Sequence, residues 1–546
     1  MEIKTVKLDI KGMTCDHCEA TVAKAIQGDG IIDKKVSYEN GNAIVSYDTG
    51  TLNAEDISQL VNGTGHYNVT GYKEEKGENN QGNHFVIIGG GSAAFAATIQ
   101  ARELGARVTM INDGLPIGGT CVNVGCVPSK YIIRAAEALH KSNNIPFAGI
   151  KGEGKVTDFS HIIGQKTDLV EQLRQEKYID VVSDMENFRR IKGRALFTGP
   201  KTVEVNGETI TGDHFLIATG ARTNIPDING LKDVPFLTNE TAFALEKLPE
   251  SMIVLGGRYI ALEIAQMFSR LGTKVTILQR SDRILPSEAV DITNGLTEYF
   301  KDEGINIVTG NDLEKISYEN ENFTVNTLVD GTSTTYRAEQ LVVATGRAPN
   351  TGSMGLDKAG VDIDSKGFVV VDEKLNTSQS HIFAAGDVLG QNMFVYTAAY
   401  EGKLAASNAL SSLPKNRNYT ALPWVVFTDP QVAGVGMDEA MAEDAGIDYD
   451  VAKLELSHIP RSIAAMDTRG FIKLLRDRAS NRLIGARILA PEGSELLMEV
   501  AMAIKFEITS DQLREMFHPY LTLSEGVKLA AITFDKSVAE LSCCAT

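Results

Sequence analysis

H-F-V-I-I-G-G-G-S-A-A-F-A-A-T-I-Q-A-R-E-L-G-A-R-V-T-M-I-N, residues 84–112, is the stretch that decides the fold. An apolar run too short for a helix leads into three glycines, an alanine-rich segment with helical spacing follows, and a second apolar strand closes the unit. This is the β-α-β order that dinucleotide binding requires. Gly89, Gly91 and Ala94 fill the G-x-G-x-x-A positions, which allow a tight turn and a close approach of backbone to a pyrophosphate. Such a glycine motif is weak alone; the strand before it and the helix after it give it weight. The acid that usually ends the second strand is absent. Asn112 stands there with Asp113 next to it, and either could bond a ribose.

Working outward, the same pattern returns at residues 252–280, M-I-V-L-G-G-R-Y-I-A-L-E-I-A-Q-M-F-S-R-L-G-T-K-V-T-I-L-Q-R. Gly256 and Ala261 keep their places, while Arg258 takes the position of the second glycine. The second strand ends at Gln279, followed by Arg280 and Arg283. Cations where a ribose-binding carboxylate would stand favour a 2′-phosphate, hence NADPH over NADH. Solvated surface arginines are the alternative reading. A-T-G occurs after an apolar strand at residues 218–220 and again at 344–346, and H-I-F-A-A-G-D ends in Gly386 and Asp387.

Between the two units lies G-G-T-C-V-N-V-G-C-V-P-S-K, residues 118–130. It sets Cys121 and Cys126 five residues apart, and Pro128 stands in the first turn of an amphipathic helix. A thiol near a helix N-terminus loses its proton more easily. The pair reads as redox-active, with a structural disulfide or two buried cysteines as the alternative. All six cysteines fall in close pairs: Cys15 with Cys18, Cys121 with Cys126, and Cys543 with Cys544. In a chain whose first ten residues lack the apolar run of a secretion signal, this usage points to metal or redox chemistry in the cytoplasm.

At 546 residues the chain exceeds one core, and its net charge of −18 disfavours nucleic acid or an anionic membrane as partner. No apolar run is long enough for a membrane span. Residues 1–72 read as β-α-β-β-α-β, a ferredoxin-like order, with G-M-T-C-D-H-C between the first strand and helix. Cys15 and Cys18 there suit capture of a soft cation by two thiolates. Residues 73–83, charged and free of apolar side chains, read as a flexible linker. From about residue 421 an antiparallel sheet and a covering helix are expected. The fold class is thus α/β and α+β: a ferredoxin-like N-terminal domain, two Rossmann-like dinucleotide-binding domains and a C-terminal α+β domain. The segments are 84–230 and 347–420 for the first nucleotide, 231–346 for the second, and 421–546 for the last domain.

G-M-T-C-x-x-C on this fold resembles the heavy-metal-associated domains of copper chaperones and metal-transport ATPases. The glycine turns, C-V-N-V-G-C-V-P-S-K, A-T-G-R-A-P-N, A-A-G-D and the last domain resemble the pyridine nucleotide-disulfide oxidoreductases. That resemblance implies FAD in the first nucleotide fold, with Gly89, Gly91, Ala94, Gly119, Thr120, Lys130, Gly220 and Asp387 as candidate contacts. It implies a nicotinamide nucleotide in the second, with Gly256, Ala261, Glu263, Arg280, Arg283 and Gly346. It also implies a homodimer built through the C-terminal domain.

Disulfide-reducing members carry a His-Pro-Thr segment with a glutamate five positions after the histidine. Here F-H-P-Y-L-T-L-S-E places Glu525 seven residues beyond His518 but five beyond Tyr520, so Tyr520 occupies the histidine's place. Tyrosine is a weak acid or base at neutral pH. With the C-C tail and the N-terminal metal domain, this resembles the branch of the family that reduces mercuric ion. The likeness implies Cys121 and Cys126 as the active pair, with Cys126 nearer the flavin. It implies Cys543 and Cys544 as thiols delivering Hg(II) across the dimer, Tyr259 and Tyr520 as lining the metal site, and Cys15 and Cys18 as a further metal pair. A glutathione- or dihydrolipoamide-type disulfide reductase is the alternative enzyme, and a metal chaperone with a vestigial reductase body the alternative outside catalysis.

Overall fold

The computed structural model describes residues 3–75 and 82–540, in two compact units. Residues 1–119, 177–221 and 349–417 form the first unit; residues 120–176, 222–348 and 418–546 form the second.

In the first unit, strands Ile3–Lys11, Ile31–Ser37, Asn42–Asp48 and Asn68–Glu75 alternate with helices Asp16–Ala25 and Ala54–Asn62. In sheet order the strands run second, third, first, fourth, with antiparallel pairing throughout, which is the expected ferredoxin-like arrangement. One boundary needs correction. Lys73–Glu75, assigned to the linker by composition, pair with Thr5–Lys7 and extend the last strand. A charged run without apolar residues reads like a linker in composition, although an edge strand tolerates the same charges. The remaining linker expectation, at residues 76–81, lies outside the described residues.

The same unit holds a five-stranded parallel sheet in the order Ile382–Ala384, His214–Ile217, His84–Ile88, Arg107–Asn112, Phe188–Lys192. Its central strand is buried at every position, which is why residues 84–88 read as a continuous apolar run rather than an alternating one. Helix Ser92–Glu103 connects the two strands of the first β-α-β unit, with Gly91 as its N-cap. Helix Val395–Leu410 crosses it closely: a Cβ on Gly402 would lie 2.1 Å from the Ala93 carbonyl oxygen.

The second unit contains the second parallel sheet, ordered Asn306–Val308, Lys274–Leu278, Ser251–Leu255, Gln340–Val343, with helix Tyr259–Leu271 following its glycine turn. It also contains a five-stranded antiparallel sheet, ordered Trp424–Val426, Gln431–Gly436, Leu483–Ala490, Phe471–Asp477, Tyr449–Glu455. Helix Gly493–Lys505 packs Leu496, Leu497, Val500 and Ile504 into the core of that sheet.

Residues 120–176 do not group with residues 84–119, as the segment 84–230 had implied. Helix Cys126–Asn143 buries Ile132, Ile133 and Ala136 in one core with Ala261, Leu262 and Ala265 of helix Tyr259–Leu271. An amphipathic face announces that it is buried, but not against which partner. Among the described residues no helix is long and apolar enough to cross a membrane.

Candidate active site

Both nucleotide turns are built by one device. Gly89 has φ +134°, and a Cβ there would lie 2.1 Å from the carbonyl oxygen of Ala218, in the first A-T-G. Gly256 has φ +114°, and its Cβ would lie 2.4 Å from the carbonyl oxygen of Ala344, in the second. Each A-T-G thus ends the strand beside a glycine turn and presses its backbone on the first glycine. The middle glycine is covered in both cases by a residue at the end of the second strand, its last residue in the first unit and the one just after it in the second. Asn112 lies against Gly90 and donates to the Leu115 carbonyl, and Gln279 lies against Gly257. Asn112 therefore braces the turn, while Asp113 is exposed.

The first turn fits a bound nucleotide. Gly119, at φ +64°, closes on Gly91, where its own Cβ would come within 2.7 Å of the Gly91 Cα. The buried hydroxyls of Thr219, in the A-T-G, and Thr397 have no hydrogen-bond partner among the described residues. Gly386 donates its amide to the Glu401 carboxylate at 2.7 Å, and Asp387 opens the single turn Asp387–Leu389. Asn350, the last residue of A-T-G-R-A-P-N, clamps the segment by donating from its backbone to Gly220 O and from its side chain to Thr219 O, each at 3.0 Å. In the second turn Arg258 is the helix N-cap at φ −104°, a backbone any residue adopts. Arg280 is exposed at its strand end, whereas Arg283 turns back to the Pro286 carbonyl at 2.9 Å. Gly346 accepts from the Asn224 amide.

Cys121 sits in the short helix Gly119–Val124, and Cys126 is the first residue of the 18-residue helix Cys126–Asn143. Both are free thiols. The Cys121 thiol hydrogen-bonds to Cys126, and this bond holds the Cys126 pKa below the ordinary thiol value despite burial, with the Lys130 ammonium adding to it. Cys121, the donor, is pushed up by the same bond and by burial. Of the two sulfurs, Cys126 is therefore the more readily ionised. Lys130, one turn on, reaches Glu263 Oε2 at 2.8 Å and lies 4.3 Å from the centre of the Phe427 ring. Glu263 Oε1 in turn accepts the Phe427 amide at 3.0 Å.

Helix Tyr259–Leu271 meets the segment 424–429 along one face, spaced as a helix requires. Tyr259 stacks on Trp424, Glu263 takes the Phe427 amide, the Gln266 side-chain amide exchanges two hydrogen bonds with the Asp429 backbone, and Arg270 pairs with the Asp429 carboxylate. Burial raises the Tyr259 phenol to about 12, so it stays protonated. The sequence reading missed Trp424 and Phe427 as neighbours of the site. The chain's sole tryptophan was the available signal.

At the C-terminal end, His518 Nε2 pairs with Glu499 Oε1 at 2.5 Å, while Glu525 accepts the Leu521 amide at 3.1 Å. Tyr520 lies in the exposed segment ahead of helix Glu525–Ile532. Cys543 and Cys544 lie outside the described residues.

In the N-terminal domain Cys15 is the N-cap of helix Asp16–Ala25, and its sulfur lies 3.5 Å from that of Cys18. Hydrogen bonds from the Thr14 backbone, then from the Tyr67 and Thr14 hydroxyls and the Cys15 thiol, lower the Cys18 pKa to about 6. A depressed thiol is ionised above its own pKa, so alkylation of Cys18, mapped by mass spectrometry against pH, is expected to be half-maximal near 6. Tyr67→Phe should move that midpoint upward; an unmoved midpoint would remove the Tyr67 contribution.

Residues 83–402 match the pyridine nucleotide-disulphide oxidoreductases, residues 422–531 the dimerisation domain of the same family, and residues 7–66 the heavy-metal-associated domain. The chain belongs to the pyridine nucleotide-disulphide oxidoreductase family. Among its relatives there, mercuric reductase of Staphylococcus aureus is 39% identical over 552 residues, covering all of both chains. Mercuric reductase of Bacillus cereus is 39% identical over 553 residues, covering all of this chain and 87% of the relative. That of Acidithiobacillus ferrooxidans is 40% identical over 548 residues, covering 99% of this chain and 98% of the relative. Among solved structures, the HOCl-induced flavoprotein disulfide reductase RclA of Escherichia coli superposes with a TM-score of 0.73 at 30% identity, over 83% of this chain and 99% of that one. LpdA of Mycobacterium tuberculosis gives 0.73 at 25%, over 82% and 99%.

Proposed function

We infer that the protein reduces Hg(II) to Hg(0) at the expense of NADPH, in the balance Hg(II) + NADPH → Hg(0) + NADP⁺ + H⁺. The observation that carries this reading over disulfide reduction is the pairing of His518 with Glu499. A disulfide reductase must protonate a leaving thiolate. Here the histidine is bound to another carboxylate, and Glu525 serves the Leu521 amide. The full-length likeness to mercuric reductases supports the same substrate.

Gly89, Gly91 and Ala94, with Gly119, Gly220 and Asp387, would hold FAD; Gly256, Ala261 and the exposed Arg280 would hold NADPH. FAD, when bound, supplies the two-electron relay between nicotinamide and the cysteine pair. The rest of the chemistry belongs to the chain. The Cys121 thiol donates its hydrogen bond to Cys126 and so favours the thiolate form of Cys126, the form that a soft metal ion seeks. Lys130 sets positive charge beside it and is held by Glu263 and Phe427.

Hg(II) arrives as substrate by associative exchange between thiolate pairs, each step nearly isoenergetic because donor and acceptor are alike. Its route runs from Cys15 and Cys18, or a cellular thiol, to Cys543 and Cys544 of the partner subunit, and then to Cys121 and Cys126. Tyr259 and Tyr520 line the last site. A homodimer is supported by the apolar side chains of Met498, Met502 and Phe506, exposed at one-turn intervals on a domain of the dimerisation type. The four described thiols, all free, suit the reducing cytoplasm.

The test is NADPH oxidation by the purified protein with Hg(II) in excess thiol, set against oxidised glutathione and lipoamide. Turnover with Hg(II) and little with either disulfide is expected. Comparable disulfide turnover would return the protein to the disulfide reductases, and no oxidation of NADPH with any acceptor would leave only a metal-binding role.

A further inference from the structure

Residues 122–125 join Cys121 to Cys126, and they are fastened from far outside their own stretch of sequence. The short helix Gly119–Val124 stops at Val124, so its last carbonyl oxygens have no partner within the helix. The Val124 oxygen is met instead by the side-chain amide of Asn239, which donates to it at 2.9 Å. Asn239 is only 5% exposed. Its own side-chain oxygen accepts the Thr223 hydroxyl at 3.1 Å, which fixes the amide with its NH2 toward the Val124 oxygen.

The base under Asn239 is stiff. Leu237, two residues earlier, bonds strand Gln340–Val343 twice, donating to the Leu341 oxygen and accepting from the Val343 amide, each at 2.7 Å. The connector itself is folded back on its start, for a Cβ on Gly125 would lie 3.0 Å from the Thr120 oxygen and 3.3 Å from the Cys121 Cα. To form a disulfide the two sulfurs must close to about 2.05 Å, so the freedom of residues 122–125 decides how often they meet. We propose that Asn239 is a positioning residue for the cysteine pair: through the Val124 carbonyl it keeps the two sulfurs within bonding reach and stabilises the disulfide over the open pair. The open pair then has less conformational freedom to lose on closure. This rests on the reading of Cys121 and Cys126 as a redox pair.

The test is a redox titration of the FAD-loaded protein in graded ratios of reduced to oxidised dithiothreitol, with alkylated Cys121 and Cys126 quantified by mass spectrometry. Closing the Cys121–Cys126 bond opens the S–S bond of one oxidised dithiothreitol. Two electrons pass to the reagent, and its two thiols take their protons from the pair and the buffer. Asn239→Ala is expected to weaken the disulfide about tenfold, a potential about 30 mV less negative. Asn239→Asp, of the same shape but with no N–H to donate, should shift it at least as far. Thr223→Val, which keeps Asn239 but frees its amide to turn, should shift it about two- to threefold in the same direction. Arg476→Met, which cuts the ion pairs of a buried guanidinium to Asp450 and Asp535, should lower the unfolding midpoint and leave the potential where it was.

An unmoved or more negative potential in Asn239→Ala or Asn239→Asp overturns the proposal. The same result in Thr223→Val overturns it where neither of those variants folds. An equal shift in Arg476→Met also overturns it, since loosening the fold anywhere would then suffice. A parent that forms no Cys121–Cys126 disulfide at any ratio brings down the reading of the redox pair itself.

Discussion

Cys126→Ser is expected to lower NADPH-dependent Hg(II) reduction by on the order of 10³-fold or more, the scale seen when one member of a unit that acts together is removed. The serine hydroxyl fills the same place at the start of helix Cys126–Asn143 but remains a neutral alcohol there. It offers neither a soft ligand to Hg(II) nor a sulfur for a disulfide with Cys121. Cys121→Ser should cost a similar factor for a different reason. Its hydroxyl still donates a hydrogen bond to Cys126, but the second sulfur is gone, so neither a disulfide nor a two-sulfur site for Hg(II) can form. The double variant should be no worse than either single one, since both remove one function. Stopped assays of NADPH oxidation with thiol-ligated Hg(II) measure this, with the unfolding midpoint as control for structure. Additive losses in the double variant would mean that the two sulfurs act independently.

What could be read from the chain was what is local. Residues 84–112 and 252–280 each carry strand, turn and helix in one contiguous run, and both β-α-β units stand where the spacing put them. The position of Cys126 at a helix start follows equally from Pro128 and the amphipathic run behind it. What could not be read is who meets whom across the chain. The two A-T-G segments announced themselves as repeats, yet their purpose appears only when each carbonyl is seen against the first glycine of a turn. Glu263 and Phe427 close around Lys130 from distant parts of the sequence, and neither has a motif that says so. His518 was separated from Glu525 by spacing alone. Its actual partner, Glu499, needed the fold. The grouping of residues 120–176 with the second unit was hidden for the same reason, since an apolar helix face names no partner.

The largest stability effect is expected at the far end of the helix that carries Tyr259 and Glu263. Arg270, with a side chain only 3% exposed, bonds Glu303 through Nε and Nη2 and Asp429 through Nη1. Arg469 also pairs with the Asp429 carboxylate, at 3.0 Å. Arg270→Met would fill most of the volume but leave two buried carboxylates with one cation between them. Breaking a buried ion pair on one side costs about 3–5 kcal/mol, because the stranded charge is then desolvated without compensation. Arg270→Lys should recover only part of this, since one ammonium cannot reproduce a fork that serves two carboxylates. The readout is the urea midpoint of Trp424 emission, which sits on the same helix–strand contact. The network also sets a pH signature. Burial alone would raise the Asp429 carboxyl, but Arg469 and Arg270 hold it below its ordinary 3.8. A depressed carboxyl stabilises the fold above its unfolded pKa, and that contribution fades as pH falls through the folded value. The parent should therefore lose part of its advantage over Arg270→Met in acid below pH 4, and an advantage constant down to pH 2 would show that Asp429 is not the charge Arg270 neutralises.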